Sequence, residues 1–210
     1  MELSVSILNS KDKKEMINLL NDTNIYYIHM DVMDGKFVSQ TSLSSEELIE
    51  LSKYSKKDFD VHLMVDDPIS YIEEIKNINN IKQITIHLEI DKDIDDILSK
   101  IKEYGFKVGL AIKPNTYINK LIPYLEYIDT ILIMSVEPGL GGQPFISSTE
   151  ERIKKIKELT KDYNISLEVD GGINDETITK IAPAHIAVVG SYITNSNDPV
   201  TTINYLNIIK

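Results

Sequence analysis

Short runs of Val, Ile and Leu alternate along the whole chain with longer segments in which apolar residues recur every three or four positions. The runs predict strands at Leu3–Leu8, Tyr26–Met33, Phe59–Val65, Lys82–Leu88, Phe106–Ile112, Thr130–Ser135, Ile165–Asp170 and His185–Val189. The longer segments predict helices over Asp12–Leu20, Glu46–Tyr54, from Pro68 onward, and over Ile94–Tyr104, Ile118–Leu125, Glu150–Lys161, Asp175–Ile181 and Asp198–Ile209. Ser44 or Ser45 and Ser147 or Ser148 are the expected N-caps of their helices, and Gly105 the expected helix stop. Eight near-continuous apolar strands separated by helices imply a parallel sheet covered by helices. Closure into one (β/α)8 barrel over residues 1–210 is the simplest arrangement. An open doubly wound sheet is the alternative. Against it, the first turn, Ser6-Ile7-Leu8-Asn9-Ser10, has no glycine-rich dinucleotide fingerprint.

Composition then removes several functions. The net charge of −11 argues against nucleic acid as a partner, which calls for basic patches. It does not forbid an anionic small molecule, because backbone amides and a metal bind phosphate without net positive charge. With no cysteine, any metal must be held by His and carboxylates. The N-terminus lacks the pattern of a signal peptide, and no apolar run approaches a membrane span, so a cytoplasmic chain that avoids membranes is expected.

The densest chemistry lies in Tyr26–Val38, YYIHMDVMDGKFV. In a strand, successive side chains point to opposite faces, so His29, Asp31 and Met33 share one face and Ile28, Met30 and Val32 the other. Gly35 ends this strand and opens the long loop Gly35–Leu43, the best candidate for a mobile lid. A barrel of this kind carries its active site at the C-terminal strand ends. There the chain offers Ser6, His29, Asp31, His62 and Asp170, followed by the glycine-bearing loops GLGG, GG and GS after strands six, seven and eight. His29, Asp31, His62 and Asp170 form a mixed imidazole and carboxylate set suited to a divalent ion such as Zn, Mn, Fe or Co. Taken singly, each histidine also reads as an ordinary hydrogen-bonded barrel residue. The three glycine loops suit a phosphate, although glycines also simply make turns. Met33, Met64 and Met134 face inward; they either fill core or cover the reacting carbon with non-acidic surface. His87 and Glu89 end the fourth strand as candidate supports of the site. His185 reads as structural and Lys113 as solvated.

At these residues the chain resembles a known family. SILNS, IHMDVMDGKFV, DVHLMV, GLAIKP, MSVEPGLGGQPFI, EVDGGIN and VVGSYI, in this order, are similar to the motifs of the ribulose-phosphate 3-epimerase family. The resemblance implies a TIM barrel of the ribulose-phosphate-binding type that interconverts D-ribulose 5-phosphate and D-xylulose 5-phosphate. It implies His29, Asp31, His62 and Asp170 as metal ligands and Asp31 and Asp170 as the acid/base pair. It further implies substrate contacts from Ser6, His62, Gly139, Gly141, Gly142, Asp170, Gly171, Gly172, Gly190 and Ser191, and homo-oligomeric assembly. The chemistry suits the residues, since two carboxylates on opposite sides of a sugar can remove a proton and return one to the other face. The chain departs from the family pattern at Val5, Lys36, Ser39-Gln40, Leu140 and Pro144, none of them among those ligands or acids. Two alternatives stand beside this reading. One is a 3-epimerase of a hexulose phosphate such as D-allulose 6-phosphate, suggested by Gly142–Phe145. The other is a phosphosugar-binding barrel without catalysis.

Overall fold

A computed structural model describes residues 1–210, and the strand-and-helix alternation closes on itself. The strands are β1 (Glu2–Ser6), β2 (Tyr27–Met33), β3 (Phe59–Met64), β4 (Ile81–His87), β5 (Lys107–Ile112), β6 (Thr130–Met134), β7 (Ser166–Asp170) and β8 (Ile186–Val189). They lie in sequence order around a closed barrel, with β1 pairing β8 in parallel. Outside them run α1 (Lys13–Leu20), α2 (Ser45–Ser52), α3 (Pro68–Ile75), α4 (Ile94–Glu103), α5 (Thr149–Leu159), α6 (Ser191–Thr194) and α7 (Pro199–Ile209). No helix is long and apolar enough to cross a membrane.

Strand alternation sorts the side chains by chemistry. Leu3, Val5, Ile28, Met30, Val32, Val61 and Leu63 point outward into one large apolar core shared with the helices. The inward positions carry Ser4, His29, Asp31, Asp60, His62, Gln83, Thr85, His87, Thr130 and Glu168, all buried. The barrel lumen is therefore packed with polar groups and must satisfy them internally. Apolar inward residues collect toward the C-terminal mouth, where Met134 and Val188 cluster on one side and Met33 and Met64 on the other. Gly109 gives β5 room beside β4, because a Cβ there would lie 2.1 Å from Thr85 Oγ1.

Helix starts follow local capping. Asp12, Asp67, Asp93 and Asp198 each accept a backbone N–H from the first turn, and Ser44 and Glu47 form a reciprocal capping box. Gly105, at φ +83°, takes the left-handed position just past α4. Three expectations need correction. Ser148 precedes α5 but its side chain caps nothing, because its backbone is already helical. The helix expected at Asp175–Ile181 is only a 3-10 turn over Ile178–Ile181, after Asn174 Oδ1 has accepted the N–H groups of Glu176 and Thr177. The helix expected at Ile118–Leu125 is likewise a 3-10 segment, Ile118–Tyr124, with Pro123 inside it. The short α6 following Gly190 is absent from the predicted elements, since four residues cannot display a helical period.

Candidate active site and metal centre

Parallel register lines up the key residues. Asp31 pairs with His62, Ser6 with His29, and Met134 with Asp170, and the four candidate ligands converge within the lumen. One nitrogen or oxygen from each of His29, Asp31, His62 and Asp170 lies within 4.8 Å of all the others. Asp31 sits at the centre. Its Oδ2 accepts the Ser6 hydroxyl at 2.6 Å, and its Oδ1 lies 3.3 Å from His62 Nδ1 and 3.4 Å from His29 Nε2. His29 Nε2 is buried and has no hydrogen-bond partner, although it faces two carboxylates. A buried, orphaned imidazole nitrogen among carboxylates is the chemistry a divalent cation satisfies. The four residues therefore fit a metal.

The carboxylates differ electrostatically. Burial pushes Asp31 upward, but the charge of nearby His29, and then the hydrogen bond and charge of His62, outweigh it and hold it far below the carboxylate range. Asp170 makes no side-chain hydrogen bond within the protein. Burial, and then the charge of Asp31, push it up to about 6. Two carboxyls of such different affinity for a proton are the arrangement that acid/base chemistry uses.

Behind the ligands lie buried hydrogen-bond chains. His29 Nδ1 is 2.7 Å from Asp60 Oδ2. His62 Nε2 meets His87 Nε2 at 2.8 Å, and His87 Nδ1 reaches Glu89 Oε2 at 3.1 Å. Burial depresses His87 to about 4, so it stays a neutral relay between His62 and Glu89. Glu89 also accepts the backbone N–H of Lys113 and the Thr116 hydroxyl. His185 is structural as expected: its Nδ1 accepts the Leu167 N–H at 2.8 Å. Lys113 is not freely solvated, as its Nζ lies 4.2 Å from the centre of the Phe37 ring, which in turn packs on His87.

Above the ligands opens a cavity of roughly 640 Å³. Ser6, Asp31 and Asp170 reach it from the strands, and Met33, Met64 and Met134 line its wall. Gly139, Gly141, Gly142, Gly171, Gly172, Gly190 and Ser191 line it from the loops. His29 and His62 do not; both are buried. Gly172 has a stereochemical reason to be glycine: φ is +65° and a Cβ would stand 2.5 Å from Phe145 N.

Gly141 is tied to Asn9, which lies in the SILNS segment but to whose contacts no spacing points. Asn9 donates from Nδ2 to Ser191 Oγ at 2.8 Å, and a Cβ on Gly141 would fall 2.2 Å from that same nitrogen. The Gly35–Leu43 loop is anchored at its ends, because Asp34 accepts the N–H groups of Lys36, Phe37 and Asp66, and the Ser42 hydroxyl donates to the Asp31 carbonyl. Between these anchors, Val38 and Gln40 pack against Gly139.

Glu168, deeper in the lumen, gives a pH-dependent expectation. Burial, and then the charge of Asp60, push its carboxyl well above the ordinary range. The folded chain thus keeps a proton that the unfolded chain releases above about pH 4.3. Stability from this group is complete below that pH and is lost as pH rises through the folded-state value. Glu168→Gln cannot titrate. Its melting temperature, measured on metal-free protein, is expected to gain on that of the native chain as pH rises above about 4.3. A gap that stays constant with pH would contradict a protonated Glu168.

The sequence profile described as the ribulose-phosphate 3 epimerase family matches residues 2–194. The chain is 35% identical over 214 residues to "Ribulose-phosphate 3-epimerase" of Helicobacter pylori strain J99, covering 100% of this chain and 98% of the relative. It is 33% identical over 187 residues to "Ribulose-phosphate 3-epimerase, cytoplasmic isoform" of Oryza sativa subsp. japonica, covering 86% of this chain and 80% of the relative. Among solved structures, 3-hexulose-6-phosphate synthase from Salmonella typhimurium superposes with a TM-score of 0.71 at 15% identity, covering 100% of this chain and 98% of that one. At that identity the likeness concerns the fold alone.

Proposed function

The chain belongs to the ribulose-phosphate 3-epimerase family, and we propose that it interconverts D-ribulose 5-phosphate and D-xylulose 5-phosphate with Asp31 and Asp170 as its proton carriers. One observation carries the reading: His29, Asp31, His62 and Asp170 converge beneath the cavity. The four would hold one divalent ion, of Zn, Fe, Mn or Co. When bound, that ion supplies positive charge against the oxyanion that develops as the C3 proton leaves.

The remaining work falls to the chain itself. Asp31 is ionised, so it can accept a C3 proton from its side of the sugar. Asp170, poised near about 6, can carry a proton for delivery from the other side; reversing the roles runs the reaction backward. Ser6 donates to Asp31 Oδ2 and so fixes how that carboxylate turns toward the cavity. Met33, Met64 and Met134 offer no acidic hydrogen and keep water from the reacting carbon. Glycine amides of the loops after β6 and β7, with Ser191 at the uncapped start of α6, are the groups we assign to the phosphate. A cytoplasmic homo-oligomer completes the proposal.

Two other readings are weaker. A binding-only barrel needs neither Asp31 nor Asp170 poised for proton transfer. A hexulose-phosphate epimerase shares the acids and differs only in the sugar. Purified protein assayed against D-ribulose 5-phosphate and D-allulose 6-phosphate under identical conditions separates them. We expect kcat/KM at least about 10-fold higher for the pentulose, roughly the discrimination one extra carbon unit provides. A faster reaction with D-allulose 6-phosphate would reverse the assignment.

A further inference from the structure

Beneath the metal ligands, one layer deeper in the lumen, sits a buried carboxylate that the proposed reaction does not use. Asp60 is 0% exposed, and its Oδ2 lies 2.7 Å from His29 Nδ1. His29 is its only ion-pair partner; no Lys or Arg comes within reach. Burial of a carboxylate is costly unless strong partners compensate. Hydrogen bonds supply part of the compensation. Gln83 Nε2 donates to Asp60 Oδ1 at 2.9 Å and to Glu168 Oε2 at 3.0 Å. The direction of that amide is fixed from behind, because Gln83 Oε1 accepts the Thr130 hydroxyl at 2.6 Å. His29, Asp60 and Glu168 are close enough to be considered a second cation group. The Gln83 amide is hydrogen-bonded to both Asp60 and Glu168.

These contacts have a direction. A carboxylate on Nδ1 calls for the ring proton there, so the neutral ring presents its lone pair at Nε2. Nε2 is the atom that has no partner and faces Asp31. We propose that Asp60 is a positioning residue for the metal centre: by accepting the Nδ1 proton of His29 it fixes the tautomer and the ring orientation that present Nε2 to the cation. Partners of this kind set both the geometry and the basicity of a ligating imidazole. Gln83 and Thr130 hold Asp60 in place, so the support extends across β3, β4 and β6.

This proposal rests on the reading of His29, Asp31, His62 and Asp170 as a metal site, and its test keeps the two apart. Metal-stripped native chain and Asp60→Asn are titrated with cobalt(II), following the visible absorption of the bound ion. Native protein is expected to bind one equivalent, and Asp60→Asn to bind roughly 10- to 100-fold more weakly. Turnover at saturating cobalt is expected to recover to within a few-fold of native, with the shift seen in the cobalt concentration needed. The metal-free variant is expected to melt within a few degrees of the native chain. Equal cobalt affinity, with or without a lowered metal-free melting temperature, would overturn the proposal and leave the metal site standing. Failure of native protein to bind cobalt would overturn both. Should Asp60→Asn fail to fold, nitrogen NMR of histidine-labelled, zinc-loaded native protein decides: His29 must carry its proton on Nδ1, and a bare Nδ1 would overturn the proposal.

Discussion

Asp31→Asn is expected to lower kcat/KM for D-ribulose 5-phosphate by about 10⁴-fold or more, the upper range for loss of a proton-transfer group. Several effects combine. The amide cannot accept the C3 proton. It also carries no charge to attract a cation between His29 Nε2 and His62 Nδ1, both of which lie within 3.4 Å of the present carboxylate. The variant is therefore expected to retain less metal as well. The barrel is expected to persist, because the large apolar core lies on the outer face of the strands and the Ser6 hydroxyl can still donate to the amide oxygen. A coupled assay, metal analysis and a thermal melt of the same preparation check all three. Native turnover in folded Asp31→Asn would overturn the two-acid reading.

Asp170→Asn is expected to abolish epimerisation by about 10²- to 10⁴-fold in a different way. The Asp170 side chain makes no hydrogen bond or ion pair within the protein, so little of the fold depends on it. Three of the four ligands remain after the change. Asp31 still reaches the cavity from its own side. One of the two sugars is therefore expected to exchange its C3 proton with solvent at a measurable rate, while neither converts to the other. Proton NMR of each sugar in D2O with the variant reads this directly. Exchange of both sugars at the native rate would show that Asp170 is not the second proton carrier.

Much of this site is legible in the amino-acid sequence, and the reason is the two-residue period of strands. His29, Asp31 and Met33 fall on one face simply because they alternate with Ile28, Met30 and Val32, and the barrel places that face inward. The same period puts Asp60 and Glu168 on the inward face too, each two residues before a ligand on its strand. Their role is harder to read, because substrates bind at strand ends while these two sit in the layer that supports the ligands from below. The contact of Asn9 is illegible for another reason. Its contact with Ser191 spans 182 positions and depends on how two loops meet, which no local pattern encodes. Helical period misleads at Ile178–Ile181 and Ile118–Tyr124, where an Asn174 turn and Pro123 compete with the α-helical hydrogen-bond ladder.

The most direct measurement places the purified, metal-replete native chain with D-ribulose 5-phosphate in D2O and follows C3 by proton NMR. D-xylulose 5-phosphate carrying deuterium at C3 is expected to accumulate at a rate proportional to protein. If folded, metal-bearing protein leaves the C3 proton in place and forms no second sugar, the central claim is wrong.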